Sequence, residues 1–301
     1  MYFKCKGSGG ATVTIDGVEV EDDLALSSGY MDRSVSTLPY NFQQGGSVAY
    51  EGKIHILGTV GNSSYYNKHY CYDGISWTNV GNLPYSFYEG EVIVFSNEIH
   101  MLGGTNGIGR HYKYNGTSWT SVSTLPYEFV DGSAVAKDNE IHIMGCYYNN
   151  TPSRYKLHYK FNGTSWTSVS TLPFYFYVGS AVAKDDEIHI LGTGDSDSNK
   201  KHYKFNGTSW TSVSTLPYKF SAGSVVVKDD EIHIMGGSGD SNTYYIAHYK
   251  YNGTSWIKLS NLPYSFYYGR AVLYQDGIHI LGSRDNSYNN WHYEINKEYY
   301  Y

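Results

Sequence analysis

The side chains of this chain best suited to chemistry are its imidazoles. All twelve histidines fall in two recurring slots. One is the centre of Ile-His-Ile or Ile-His-Met, at His55, His100, His142, His189, His233 and His279. The other opens a His-Tyr dipeptide, at His69, His111, His158, His202, His248 and His292. Two imidazoles brought together by neighbouring strands could ligate zinc or exchange protons. Zinc would need further ligands, and no Cys or carboxylate recurs at a fixed distance from either slot. An active centre needs one such pair, and here there are six. The slots read as a structural device, with imidazoles packed, hydrogen-bonded and neutral, and with folded pKa values below the unfolded value of about 6.5.

Other chemical signals are weaker. There is no Gly-x-Ser-x-Gly, no phosphate loop and no recurrent carboxylate pair, so the chain reads as a non-enzyme with no cofactor and no metal. Asp195-Ser196-Asp197 and Ser238-Gly239-Asp240 read as solvated loop tips rather than cation sites. Asn-Gly-Thr at Asn115, Asn162, Asn206 and Asn252 matches a glycosylation acceptor, but Asn-Gly is also a two-residue hairpin signal with positive φ at both positions, and the turn is the better account. Trp77, Trp119, Trp166, Trp210 and Trp256 share one slot and read as packing residues, whereas Trp291 is out of register and open to function. Cys5, Cys71 and Cys146 occupy no repeated position, which argues against a disulfide framework and for a reducing compartment.

The elements that position these residues repeat. Leu-Pro recurs at Leu38, Leu83, Leu125, Leu172, Leu216 and Leu262, and Ile-His at Ile54, Ile99, Ile141, Ile188, Ile232 and Ile278. Both series step by 45, 42, 47, 44 and 46 residues. Six copies in the forties with no helical pattern predict an all-β, six-bladed propeller. In the fourth copy the predicted strands are Gly179–Lys184, Glu187–Gly192, Lys201–Asn206 and Ser209–Ser214. Pro then ends the fourth strand, because it cannot donate to a ladder.

With these residues in view, the chain resembles kelch-repeat β-propellers. The matching features are the Gly after the second strand, the Tyr of the third, the Trp of the fourth, and Leu-Pro six residues beyond that Trp, over roughly Tyr30 to Asn296. The double glycine of kelch repeats survives only at Gly103-Gly104 and Gly236-Gly237, and His stands in place of the second-strand Tyr. The wording NGTSWTSVSTLPY is also similar to kelch-like proteins of phage and prophage tail regions in Gram-positive bacteria. Some kelch-like propellers are radical copper oxidases or sialic-acid isomerases, and their Tyr, Cys, His or Arg sets have no counterpart that can be placed here.

Residues 1–29 stand outside the repeat and the propeller occupies 30–301. The alternation of Ala11–Val20 around Asp16-Gly17 predicts a small hairpin arm that attaches to tail or baseplate proteins or to a sister chain. No signal peptide or membrane-spanning stretch is evident, so membrane insertion is not expected. Asp32–Tyr40 matches the end of a fourth strand, and the sixth copy stops after its third, so the N-terminal segment is expected to complete blade six. Only 17% of residues are charged and the net charge is −6, which argues against nucleic acid. Tyr is abundant, with 34 copies, and combines a flat apolar face with a hydroxyl.

What varies between copies is one face. The crossings into successive blades read YNFQQG, YSFYEG, YEFVDG, FYFYVG, YKFSAG and YSFYYG, and the facing loops carry Tyr65-Tyr66, Tyr147-Tyr148, Tyr244-Tyr245 and Tyr288. After the crossing Gly, three copies have Ser133, Ser180 and Ser224, while the other three have Gly46, Glu91 and Arg270. These three belong to consecutive blades, so the expected ligand site lies over blades six, one and two. Tyr88, Tyr267 and Tyr268 would offer stacking faces there, and Gln43, Gln44, Glu89, Arg110 and Arg284 a polar rim. A plain Glu91–Arg270 ion pair is the simpler account. The expected function is binding of a bacterial surface glycan or protein by a phage tail receptor-binding protein. Such a protein would be located in the virion tail after cytoplasmic assembly. The alternative is a cytoplasmic kelch-type interaction module, and a glycan-processing enzyme ranks third.

Overall fold

The computed structural model describes residues 13–15, 18–20, 32–60, 64, 66–147, 155–193, 195, 199–238, 246–284 and 289–295. Six four-stranded antiparallel sheets succeed one another along the chain. Blade one consists of Gly46–Tyr50, Lys53–Leu57, Lys68–Tyr72 and Trp77–Asn82. Blades two to five open at Glu91, Ser133, Ser180 and Ser224 and keep the same order. Blade six holds Arg270–Tyr274, Gly277–Leu281 and Trp291–Ile295, and its outer strand is Asp32–Thr37. The register runs from Ile295 opposite Asp32 to Trp291 opposite Thr37. The first strands adjoin all the way round the ring. The fold is therefore the expected all-β, six-bladed propeller, closed by the N-terminal strand. In the arm, Val13–Ile15 and Val18–Val20 pair antiparallel as the alternation predicted.

The blades pack face to face, so their middle strands are covered on both sides. This is why the second strand of each copy is apolar nearly throughout, with Ile on one face and His on the other. Six clusters of buried side chains result, each shared by two neighbouring blades. Phe42, Phe87, Phe129, Phe176, Phe220 and Phe266, the invariant crossing residue, are fully buried. Burying a side chain of this size contributes about 1.5–3 kcal/mol each. The outer strands are short and half exposed, for example Trp210–Ser212.

One turn differs from its expected form. Asn-Gly is not a two-residue hairpin: only the Gly has positive φ, 93° at Gly207. Asn206 Oδ1 accepts the backbone N–H groups of Thr208 and Ser209, at 3.0 and 2.9 Å. This side-chain turn makes a four-residue connection between Phe205 and Trp210. Tight two-residue turns lie between strands one and two, as the predicted bounds at Lys184 and Glu187 imply, and Asp185 and Asp186 there have φ of 49° and 57°.

The glycine after each second strand is required by close approach. Gly192 has φ of 64°, and a Cβ there would overlap the carbonyl oxygen of Phe220 in the next crossing. The Tyr that opens the same crossing bonds the corresponding glycine one blade further on: Tyr218 Oη donates to Gly236 O at 2.8 Å. Shared residues thus hold the crossings in place, and only the variable ones are left to differ in chemistry.

Candidate functional site

The imidazoles pair inside each blade. Nδ1 of the second-strand His lies 2.7–2.9 Å from Nε2 of the third-strand His in all six. None of the twelve is more than 5% exposed. Burial lowers His55, His100, His142 and His189 to about 4. His69, His111, His158, His202, His248 and His292 fall to about 3, by burial and then by the neighbouring imidazole. No cluster of three or more His, Cys, Asp or Glu suited to a metal occurs among the described residues. The third-strand His also packs against the next blade: His111 meets Phe161 at 5.1 Å and Trp166 at 5.7 Å. At three of these seams the Ser two residues before Leu-Pro accepts the indole N–H of that Trp: Ser36 from Trp77 at 3.0 Å, Ser123 from Trp166 at 3.2 Å, and Ser214 from Trp256 at 3.0 Å.

The variable face converges on the mouth of the central channel. The fifth crossing residues, Gln44, Glu89, Asp131, Val178, Ala222 and Tyr268, all have φ between 51° and 60°. Each donates its backbone N–H to the carbonyl of its counterpart in the preceding blade, at 2.7–2.8 Å. The six bonds form a closed ring. Backbone geometry is therefore fixed at this position, while the side chains differ and face the mouth. The cavity there is about 40 Å³, lined by Gln44, Glu89, Glu91, Asp131, Tyr268 and Arg270 among others. That space holds water and not a sugar ring. A ligand of this face must lie across the mouth.

Arg270 is spent on the channel wall. Its Nε donates to Gly45 O at 2.7 Å, Nη2 to Gly90 O at 3.1 Å, and Nη1 to Glu91 Oε1 at 3.2 Å. It ties blade six to one and two, as Ser133 and Ser224 tie their neighbours through their Oγ atoms. Replacing Arg270 with Ala should cost about 1–3 kcal/mol of stability, because two carbonyls and a carboxylate lose a charged donor. A urea midpoint unchanged by the substitution would contradict this assignment. Glu91 has a raised pKa through burial, which the Arg270 guanidinium partly offsets. Asp131 is raised to about 7 by burial and then by Glu89.

The remaining expected residues divide. Gly46 is not an open notch, since the space for its side chain is filled by Val92. Tyr267 is buried and packs on Tyr268 at 5.6 Å. Tyr268 borders the mouth, with Arg284 over its ring at 5.3 Å. Gln44 and Glu89 are joined at 2.9 Å, and Thr105 also donates to Glu89. Gln43 bonds Val60 O at 3.1 Å, Tyr88 packs on Tyr66 at 5.5 Å, and Arg110 covers Tyr85 at 5.2 Å. Trp291 packs on Tyr264 and Tyr293, both at 5.4 Å, so it has a packing role. Tyr65, Tyr148, Tyr244, Tyr245, Tyr288, Ser196, Asp197, Gly239 and Asp240 lie outside the described residues.

A second patch on the same face gathers rings that the sequence placed on that face but did not bring together. Tyr147 stacks on Tyr177 at 4.9 Å and Tyr155 at 5.7 Å, and Tyr155 meets Tyr175 edge-on at 5.7 Å. Tyr147 and Tyr175 are 43% and 44% exposed. Lys156 Nζ stands 5.4 Å from the Tyr175 ring. Two repeat-variable segments meet here, the loop that holds Tyr147 and Tyr155 and the crossing that holds Tyr175 and Tyr177.

No family model and no curated protein matches the sequence. Among solved structures the chain is similar to that of YjhT, with a TM-score of 0.73 and 14% identity over 86% of this chain and 95% of that one. At that identity the likeness is one of fold, and it agrees with the closed six-bladed propeller.

Proposed function

We propose that this chain is a binding protein of kelch type, the receptor-binding protein of a phage or prophage tail. It recognises a bacterial surface glycan or protein through the loop face and does not turn its ligand over. In this reading residues 1–29 attach the propeller to other tail or baseplate proteins or to a sister chain, and the protein resides in the virion tail after cytoplasmic assembly. The observation that carries the reading is the chemistry of the variable face. Exposed tyrosine rings at Tyr147 and Tyr175, and the polar mouth around Gln44, Glu89, Asp131 and Tyr268, stand on an otherwise repeated framework. Exposed aromatic rings bordered by hydrogen-bonding groups suit the alternating apolar and hydroxylated surfaces of a sugar.

The test is binding of the labelled full chain to bacterial cells and to an array of their surface glycans. Saturable binding without change of the glycan is expected. Tyr175→Ala and Tyr268→Ala should each weaken it by tenfold or more, about 1.4 kcal/mol, with melting unchanged. Ser180→Ala, which removes only a bond to Gly223 O in the wall, should bind as the parent does. Full binding by both Tyr variants defeats the assignment to this face. Release of altered sugar would show an enzyme. Capture of one cytosolic protein with no cell binding would show an intracellular interaction module.

A further inference from the structure

One seam breaks the repeat. Where other blades have Ser36, Ser123, Ser170, Ser214 and Ser260 before Leu-Pro, blade one has Gly81. Gly81 pairs with His69 as Ser36 pairs with His292, each beside a register shift, so the two positions correspond. Ser36 Oγ lies 3.0 Å from His292 Nδ1 and accepts the Trp77 indole N–H at 3.0 Å. At Gly81 that hydroxyl is missing, and a Cβ placed there meets nothing within 4 Å.

The loss leaves a space lined by His69 and Trp119. His69 is 1% exposed, and its Nδ1 has no partner among the described residues. The indole N–H of Trp119, the counterpart of Trp77, also bonds nothing described. Nδ1 is likewise unpartnered at His111, His158 and His202, so that alone marks nothing. At this seam a cavity of about 390 Å³ opens between His69, Gly81, Asn82, Tyr112, Ser118 and Trp119. It is nearly ten times the volume at the channel mouth. It also falls in the range of roughly 300–1,000 Å³ found for small-molecule sites.

We propose that this seam is a carbohydrate site that takes one pyranose unit, one hydroxyl of which occupies the place of the missing Ser hydroxyl. That hydroxyl accepts from Trp119 Nε1–H and bonds His69 Nδ1. A hydroxyl both donates and accepts, so it satisfies either tautomer of His69. A carboxylate could only accept, and an apolar ligand would leave both groups orphaned. Trp119 and Tyr112 provide aromatic wall for the sugar face, with Asn82 and Ser118 at the lip. The site lies at the outer strands, apart from the loop face, and stands or falls independently of the receptor-binding reading.

The experiment is saturation-transfer NMR on the full chain with the methyl glycosides of glucose, galactose and N-acetylglucosamine. Glycerol serves as the control for hydroxyls without a ring. At least one glycoside should bind saturably in the millimolar range and glycerol should not. Gly81→Ser should weaken that binding by tenfold or more, and the backbone strain of a Cβ there should lower the melting temperature. Because φ at Gly81 is 143°, Trp119→Phe gives a second reading: it removes the donor, keeps an aromatic wall and should weaken binding severalfold. Tyr175→Ala should leave it unchanged. No saturable signal from any of the three glycosides, an equal response to glycerol, or full binding by both seam variants overturns the proposal.

Discussion

Acidification from pH 7.5 to 5.5 should remove most of the stability of this protein. Ten histidines have folded pKa values lowered to about 3 or 4 by burial. Unfolded, each titrates near 6.5, so below that pH the unfolded chain binds more protons than the folded one. Stability is therefore intact above about pH 6.5 and is lost as pH falls toward the folded values. One pH unit below the unfolded pKa, each site has lost about 1.4 kcal/mol. Ten sites together approach roughly 14 kcal/mol, comparable with the whole stability of an ordinary domain. Asp131, raised to about 7, and Glu91, also raised, work in the opposite sense, two carboxyls against ten imidazoles. Urea midpoints at pH 7.5, 6.5 and 5.5 measure the effect. Equal midpoints at the two extremes would show that the imidazoles are not buried neutral. A midpoint lowered by EDTA at pH 7.5 would instead place a metal in the pairs.

Deleting residues 1–40 should abolish cooperative folding, and deleting 1–27 should leave the melting temperature nearly unchanged. The longer deletion removes Asp32–Thr37, the outer strand of blade six, and so exposes the edge of Trp291–Ile295. It also removes Leu38 and Tyr40, which are 3% and 5% exposed in the cluster between blades six and one. Emptying a buried site of that size costs about 2–5 kcal/mol, so the two alone reach the stability of a typical domain. Calorimetry and light scattering on both variants separate the outcomes. A longer variant that melts like the full chain would mean that blade six is complete without its N-terminal strand.

The blade count, the strands and the closure were legible because each copy must bury the same residues in the same place. Leu-Pro, Ile-His and His-Tyr keep their spacing wherever the structure needs it. The Asn-Gly turns were misread because a dipeptide does not say whether the backbone or the Asn side chain closes the turn; here Asn206 Oδ1 does. Glu91 and Arg270 stood out in sequence as charges in a Ser slot. Their use as ties between blades depends on where Gly45 O and Gly90 O point, which only the assembled ring sets. Asp131 looked like any variable crossing residue. Tyr147, Tyr155, Tyr175 and Tyr177 come from segments that meet only after folding. Gly81 is an absence, and it acquires meaning once Trp119 is seen opposite.

The ring of six backbone bonds at the channel mouth runs from Gln44 to Tyr268, back through each blade in turn, and closes on Gln44. A closed circle has no first member. Ile295 and Asp32 lie opposite each other in one ladder, as Phe205 and Trp210 do where a four-residue turn joins the third and fourth strands of blade four. The break in blade six is thus the same connection left uncut elsewhere. Joining residue 295 to residue 32 by Asn-Gly-Thr-Ser and opening any of the other blades at its own such turn would keep the pairing of third and fourth strands. Circular permutation at these turns should therefore keep every blade and the ring, and a permuted chain that melts like the parent would show it.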